Sequence, residues 1–365
     1  MMFMLCSISA MTVLKGRGAP SNLDSARFSL PAREADGDWL DRLGADEEET
    51  PPPLRTTVTE ERARRIITRN DSPDIGFAQS INAYRGCEHG CIYCFARPSH
   101  ARLDLSPGLD FESRLFVKPD AAALLRKELA RPRYVARTIA MGTNTDPYQP
   151  LEGTWRITRS IIEVLAQCRH PMVITTKSDR VMRDIDLLGS MATQGLVAVA
   201  LSVTTLDPAL HHALEPRAPH PARRLAAIRA LNAAGIPVHA SLAPIIPAIN
   251  DHEIEALVAA VAQAGAGSVS FIPVRLPFEV APLFREWLQT HFPERAGKVM
   301  NLIREMRGGR DNDPGFGSRM RGQGPYAALI RTRFEKAKAR ADLAGGRISL
   351  RTDLFVPPGD QGRLF

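Results

Sequence analysis

Between Phe77 and Val274, six short apolar runs alternate with segments of helical period, and this alternation restricts the fold more than any other feature. The runs are "SINAY" (80–84), "TIAMGT" (138–143), "MVITT" (172–176), "LVAVALSVT" (196–204), "IPVHASLAP" (236–244) and "SVSFIPV" (268–274). The spacing predicts helices in "WRITRSIIEVLAQC", near 181–194 with a stop at Gly195, and from Pro221 to Gly235. Asn250 and Glu253 form a capping-box pattern ahead of Ile254, Leu257, Val258 and Val261, which recur at helical spacing. Strands separated by helices need crossover connections and therefore pair in parallel. Near-continuous apolar strands agree, because parallel sheets are covered on both faces. The expectation is an α/β chain with a curved or barrel-like sheet, its functional loops gathered at the strand C-terminal ends.

The flanks differ from this core, which takes residues 76–275. Residues 1–75 read as weakly ordered, because "EADGDWLDRLGADEEETPPPLR" sets an acidic run before three prolines. The opening "MMFMLCSISAMTVLKGRGAP" is apolar but lacks a basic n-region and a following A-x-A site, so it reads as a disordered leader rather than a signal peptide. Translation from Met11 is the other reading, and Cys6 then has no role. Residues 276–345 form a helical, basic region with Phe284, Trp287 and Leu288, then Val299, Leu302 and Ile303. A Gly/Arg loop, "RGGRDNDPGFGSRMRGQGPY", leads there into a final basic helix. Residues 346–365 are a tail.

Of 365 residues, 44% are hydrophobic and 24% charged, the balance of a soluble globular protein. No uncharged apolar run approaches the ~18 residues that argue for a membrane span. Five cysteines, with three clustered, make no disulfide framework and suit a reducing cytosol. The net charge is +7, and from Arg285 onward sixteen Lys/Arg face nine Asp/Glu, so the whole excess sits in that part. A basic appendage on a neutral core predicts a polyanionic partner, nucleic acid above all. Gly322 and Gly324 before Pro325 aim backbone N–H groups as an anion site would. With Arg310, Arg319, Arg321, Arg331 and Arg333 they make a candidate phosphate-backbone surface.

The stretch "YRGCEHGCIYCFAR" holds Cys87, Cys91 and Cys94 in a C-x3-C-x2-C spacing just after the first strand. Three thiolates on one loop hold metal. Zinc is one reading, with His89 available as a fourth ligand, but zinc favours a second cysteine pair and Cys168 stands alone. A [4Fe–4S] cluster is the other: three protein ligands leave one iron open to a small molecule, and an open coordination site means chemistry. His211, His212 and His220 also cluster, but no acid stands at ligand spacing. Arg217 in "EPRAP" suits a phosphate or a loop salt bridge.

"GCEHGCIYC" resembles the signature of the radical S-adenosylmethionine (SAM) superfamily. "TNTDPYQPLE", "TTKSDRVMRDIDLL", "LEPRAPHPARRL" and "APIIPAIND" add a resemblance to its spore photoproduct lyase-like branch, over residues 65–345. The resemblance implies a partial (β/α)6 TIM-like barrel and an enzyme that cleaves SAM reductively at the cluster to release a 5′-deoxyadenosyl radical. An electron donor is implied as a partner. Carried over position by position, Cys87, Cys91 and Cys94 are the cluster ligands and Tyr93 lies against the adenine. Thr145 and Asp146 replace the usual Gly-Gly-Glu form at the methionine amino group, Lys177 reaches the SAM carboxylate, and Ser202 a ribose hydroxyl. In the true lyase a cysteine near the end of the second strand returns a hydrogen atom to the product radical. Here the aligned position is Thr143, whose O–H bond is too strong for that step.

Three functions fit these residues. They are a cytosolic radical SAM enzyme on nucleic acid, one on a protein or small molecule, or a cluster-bearing nucleic-acid-binding redox sensor. The last residues, "QGRLF", match the Q-x-x-L-F spacing of sliding-clamp-binding peptides through Gln361, Leu364 and Phe365. The alternative there is a tail folded back on the enzyme, with Phe355.

Overall fold

Each of the six apolar runs forms a strand. The computed structural model describes residues 14–23, 25, 27–28, 54–343 and 348–359. Its strands are β1 (Thr57–Glu60), β2 (Ile67–Arg69), β3 (Gln79–Ile81), β4 (Tyr84–Arg85), β5 (Arg114–Val117), β6 (Ile139–Met141), β7 (Met172–Thr176), β8 (Val197–Ser202), β9 (Val238–Ile245) and β10 (Ser268–Pro273). The larger sheet runs β10-β9-β8-β7-β6-β3-β2. Strands β3 and β6 to β10 pair in parallel in chain order, and β2 adds antiparallel to β3 at the edge. Helices Ile157–Gln167, Ile185–Ala192, Pro221–Ala233 and Ile254–Gln263 carry the crossovers. This is the partial (β/α)6 barrel. A small sheet of order β1-β5-β4 stands beside it.

The register sorts the two faces of the barrel. Ile81, Met141, Ile174, Leu201 and Leu242 share one apolar core with Ile161, Leu188, Ile228 and Leu257 of the crossover helices. On the other face the side chains are mostly small or hydroxylic, with Val173 and His239 the larger ones. Ser80, Ala140, Val173 and Ala198 lie in register, then Thr175, Ala200, His239 and Ser268, then Ser202, Ser241 and Ser270. Coverage on both faces, expected for parallel strands, therefore holds only outside. The inner face keeps the space that a ligand needs.

Three other expectations change. Residues up to 75 are not weakly ordered throughout: β1 and β2 lie among them, and residues 14–23 pack beside the cysteine loop because a buried carboxylate, Glu112, takes the Gly18 and Ala19 amides. The acidic run that argued for a linker falls outside the described residues. The capping box is also absent. Asn250 donates to the Thr204 and Pro244 carbonyls at 2.8 and 3.0 Å, while Glu253 accepts from the Thr205 hydroxyl and Leu206 amide. Both are buried and brace loops across the barrel mouth, which leaves neither side chain to cap the helix.

Beyond residue 276, helices Val280–His291 and Pro293–Glu305 bury Phe284, Trp287, Leu288, Val299 and Ile303 against Leu214, Ile249 and Val274. Helix Gly324–Arg340 packs on Ile254–Gln263 and buries Ile330 and Phe334, the latter against Phe271 of β10 with ring centroids 4.6 Å apart. The Gly/Arg loop before it crosses the open side of the barrel. Asp74, in the β2–β3 loop, accepts from Arg319 Nε at 2.6 Å and from the Gly317 amide at 3.3 Å. Part of the tail folds back: Phe355 meets Tyr134 and His170, with ring centroids 5.4 and 5.3 Å away, and the Val356 amide donates to the Cys168 carbonyl. Gln361, Leu364 and Phe365 lie outside the described residues. No described helix is long and apolar enough to cross a membrane.

His170 gives this packing a pH dependence. It is fully buried, its Nε2 2.8 Å from the Tyr134 hydroxyl and its Nδ1 3.0 Å from the Pro171 carbonyl oxygen. Burial pushes its pKa down to about 4, and His100 is held at a similar value by the same cause. The unfolded chain takes up these protons near an ordinary pKa of about 6.5, so stability is complete above that pH and falls as the pH drops toward 4. Urea midpoints are expected to fall across this window, with a shallower fall in His170→Gln. A wild-type midpoint that does not change between pH 7 and 4 would contradict this account.

Candidate functional site

The cysteine loop leaves β4 through Gly86 and turns again at Gly90, with φ of 72° and 68°, a region open mainly to glycine. A side chain at either would also collide. A Cβ at Gly86 would sit 2.5 Å from Leu115, and one at Gly90 2.7 Å from Glu112. Cys87 is fixed by its amide, which donates to the Phe111 carbonyl at 2.9 Å. Arg97, fully buried, does the rest. Its Nε donates to the Cys91 carbonyl, Nη2 to the Gly90 carbonyl and Glu112, and Nη1 to the Pro107 and Gly108 carbonyls. Glu112 in turn accepts from the Gly18 and Ala19 amides at 2.9 and 2.8 Å, and Arg17 donates to the Glu112 carbonyl at 2.8 Å. The N-terminal segment is thus a strap that holds the partner of the arginine that holds the loop.

Two further stretches clamp the loop from the barrel side. Gln149 accepts from the Glu88 amide at 2.9 Å and donates to the Gly86 carbonyl at 3.2 Å. The Ile92 amide donates to the Leu214 carbonyl, the Arg217 amide to the His89 carbonyl, and the Arg217 side chain pairs with Glu88 at 3.0 Å. Arg217 therefore makes a loop salt bridge.

The three thiols are unpaired, Cys87 and Cys91 buried and Cys94 half-buried. Burial pushes all three pKa values up, and the Asp146 and Glu215 carboxylates add to this for Cys87 and Cys91 respectively. Such thiols ionise only beside a cationic group, which a metal cluster supplies. Among the described residues no three His, Cys, Asp or Glu side chains converge on the position of a single metal ion. His89 places its Nδ1 3.4 Å from Asp146. An imidazole engaged with a carboxylate is not free to act as a fourth zinc ligand through that nitrogen.

Residues 81–261 match the radical SAM superfamily. The chain belongs to this superfamily. It is 41% identical over 230 residues to an uncharacterized protein of Mycobacterium tuberculosis, covering 62% of this chain and 68% of that one. An uncharacterized protein of Methanocaldococcus jannaschii is 30% identical over 192 residues, 53% of this chain and 69% of that one. Among solved structures, spore photoproduct lyase complexed with dinucleoside spore photoproduct superposes with a TM-score of 0.53 at 17% identity, over 78% of this chain and 79% of that one. A point variant of that lyase gives 0.54 at 15% identity, over 86% and 93%. These likenesses establish the fold. The cofactors of this radical SAM enzyme are a [4Fe–4S] cluster and SAM, and the non-catalytic sensor reading is not retained.

Around the loop the structure gathers four of the five expected SAM-binding residues at strand ends. Thr145 and Asp146 follow β6, Lys177 follows β7, and Ser202 ends β8. Asp146 is committed to the protein. Its Oδ1 accepts from the Tyr148 amide and Thr176 hydroxyl, and its Oδ2 from the Lys177 amide, with His89 beside it. Burial opposes its ionisation, but His89 and these donors outweigh that and hold its pKa below the usual range. The Thr145 hydroxyl likewise donates to the Tyr84 carbonyl at 3.1 Å. Both residues therefore fix the strand end. Tyr93, the fifth, donates its hydroxyl to Glu215, and Lys177 Nζ lies 5.6 Å from the Tyr93 ring centroid and 3.7 Å from Glu215.

Glu215 is one residue that sequence reasoning missed. Fully buried, it gathers Tyr93, Thr204, Arg224, His211 and Lys177. Burial opposes its charge, yet Arg224 and Lys177 hold its pKa well below the ordinary range. His211 belongs to this network, with Nε2 3.1 Å from the Ala218 carbonyl oxygen, rather than to a metal site. Arg97 and Glu112 were missed too. The signal for Glu215 was its place in "LEPRAP", just before a proline and soon after His211 and His212; nothing local marks Glu112.

The strap makes a prediction. Removing residues 1–28 is expected to leave anaerobic iron loading intact but to shorten several-fold the lifetime of the cluster absorbance in air. An unchanged lifetime would remove the strap's role. Glu112→Ala, which leaves Arg97 buried without its anion, is expected to cost about 3–5 kcal/mol in chemical denaturation.

Proposed function

We propose that this radical SAM enzyme acts on nucleic acid, in repair or modification within the cytosol, and that it is not a true spore photoproduct lyase. The observation that carries the reading is a set of exposed arginines in the C-terminal region. Arg310, Arg321 and Arg331 are exposed and have no carboxylate partner among the described residues. The proposed surface is smaller than its sequence suggested, because Arg319 is paired with Asp74 and Arg333 with Glu255. The fold shared with a lyase solved with a dinucleoside lesion supports the same class of substrate.

When bound, the cluster and SAM supply an electron and a carbon-centred radical. The chain's own part is to hold and shield them. Cys87, Cys91 and Cys94 ligate the cluster. Tyr93, held by Glu215 and Thr204, offers its ring to the adenine, Lys177 its ammonium to the SAM carboxylate, and Ser202 its hydroxyl to the ribose. The low-polarity shell of Ile92, Leu214 and Ile249 limits water near the reacting atoms.

Two experiments test this. Anaerobic reconstitution should give about four irons per chain. Alanine at Cys87, Cys91 and Cys94 should abolish them, while Cys168→Ala should not, and the reduced wild type should form 5′-deoxyadenosine from SAM. Failure of iron to bind would refute the site; turnover with a peptide or small molecule but with no nucleic acid would refute the substrate. Separately, Thr143 sits at the end of β6, its hydroxyl 3.1 Å from Asn82 Nδ2. No described cysteine other than the cluster set lies near it, since Cys168 follows a helix on the apolar side. Spore photoproduct in a dinucleotide should therefore not be cleanly repaired, and Thr143→Cys should improve the yield. Rapid, clean repair by the wild type would overturn the assignment. Gln361, Leu364 and Phe365 add a proposed sliding-clamp anchor, tested by titrating clamp with the C-terminal peptide and its Leu364→Ala/Phe365→Ala version.

A further inference from the structure

One cationic feature lies outside both the cofactor site and the C-terminal region. A cleft of about 450 Å³ opens between the β2–β3 hairpin and the end of β6. Arg65, Arg69, Arg85 and Lys118 line it, with Phe77 on one wall and Thr143 at the end of β6, and none of its lining residues is acidic. Three of these four cations have no ion pair among the described residues, which leaves the wall unbalanced. Arg85 is the exception, paired with Glu61 at 2.6 Å just outside the cleft. Arg65 and Arg69 are exposed, without a carboxylate partner among the described residues. Lys118 is half-buried and makes no ion pair among the described residues; its Nζ donates to the Asn82 carbonyl oxygen at 3.0 Å, and the Glu61 carboxylate, already paired with Arg85, acts on it from farther off. A partly desolvated ammonium with a single neutral acceptor is a site that an anion would complete.

The cleft also leads somewhere. Ser80, from the hydroxylic inner face of the barrel, is among its lining residues, as are Asn82 and Asn144. Asn82 ties the floor together, with Nδ2 donating to the Thr143 hydroxyl at 3.1 Å and Oδ1 accepting from the Asn144 amide at 3.0 Å. Arg65 and Arg69 stand four positions apart, up to about 13 Å along an extended chain, a spacing that suits two separate phosphates of a strand better than one. Phe77 is half-buried beside them and presents a flat apolar face. Cations along a groove with an aromatic ring is the chemistry of single-strand binding. The volume is that of a small-ligand pocket, which admits an extruded nucleotide and not a duplex.

We infer that this cleft, and not the C-terminal arginines alone, binds the substrate strand. Arg65, Arg69 and Lys118 contact its phosphates, and Phe77 stacks a base directed toward Thr143. The inference rests on the nucleic-acid reading above and assigns that reading its binding site. The test uses the full-length protein with its cluster reconstituted anaerobically. Fluorescence anisotropy follows a short labelled DNA single strand over a series of salt concentrations, for wild type, Arg65→Gln/Arg69→Gln, Phe77→Leu, and Arg310→Gln/Arg321→Gln/Arg331→Gln. Iron content at the wild-type level verifies that each variant is folded.

The cleft double variant is expected to bind at least tenfold more weakly. Its plot of log affinity against log salt should be shallower by about 1.4, the loss of two phosphate contacts on a single strand. Phe77→Leu is expected to weaken binding with little change in that slope. Wild-type affinity and slope in the cleft variant, with loss only in the C-terminal variant, would overturn the cleft and leave the nucleic-acid reading standing. Equal losses in both arginine variants, with Phe77→Leu unaffected, would also overturn it, as that pattern marks diffuse charge. No salt-dependent binding by the wild type would sink both.

Discussion

A single guanidinium, that of Arg97, spends all five of its N–H groups inside the protein, four of them on backbone carbonyls of the loops around the cysteines. Fixing Gly90 and Cys91 by their carbonyls sets where their neighbours' side chains leave the backbone, and so where the three thiols stand. The charge is balanced by Glu112, equally buried, and Glu112 is completed by the Gly18 and Ala19 amides. A buried pair of this kind contributes little net stability over an apolar substitute, because desolvation cancels most of the attraction. Its return is geometric: removing any one member leaves a charge or donor unsatisfied, so the arrangement persists as a unit.

A second buried pair, Arg224 with Glu215, does the same on the barrel side. Arg224 Nε donates to the Pro219 carbonyl at 2.7 Å and Nη1 to the Ser202 carbonyl at 3.2 Å, which ties helix Pro221–Ala233 to the end of β8. Glu215 then reaches Tyr93 between two cluster ligands and Thr204 beyond β8, with Lys177 beyond β7 close by. The strand ends and the cysteine loop are therefore referenced to one carboxylate. Lys177 lies near both that carboxylate and the face of the Tyr93 ring, where the ring quadrupole adds to the attraction.

The architecture was legible because strand and helix periods differ and because Gly195, Gly235 and Pro221 mark the element ends. The cluster ligands were legible because three thiols in eight positions have few structural explanations. Less could be read where partners are far apart in the chain. Glu112 and Gly18 are separated by 94 positions, and Glu215 and Tyr93 by 122, so no local pattern joins them. Asn250 shows the converse. Its spacing to Glu253 fits a capping box, but the fold buries both residues, and unsatisfied loop carbonyls and amides compete successfully for their side chains. The alternation of small and apolar residues along β8 and β9 was present in the sequence, yet it was masked by the high apolar content of both faces.

Net charge proved the least transferable reading, for a physical reason. A sequence counts every arginine alike, while the fold separates them by burial and by partner. Arg97 and Arg224 are buried in ion pairs, and Arg307 is buried against the Pro273, Val274 and Arg319 carbonyls, its pKa lowered to about 10 by desolvation. Arg319 closes the barrel's open side on Asp74. These side chains cannot turn outward to meet a polyanion without leaving carbonyls and carboxylates unpaired in the interior. The field outside the protein is set by what remains, including arginines at 65 and 69 in a stretch that composition alone assigned to a weakly ordered extension. Chain ends from opposite sides of the core thus supply the positive surface, one beside the barrel's edge strand and the other beyond β10, with the hydroxylic inner face between them.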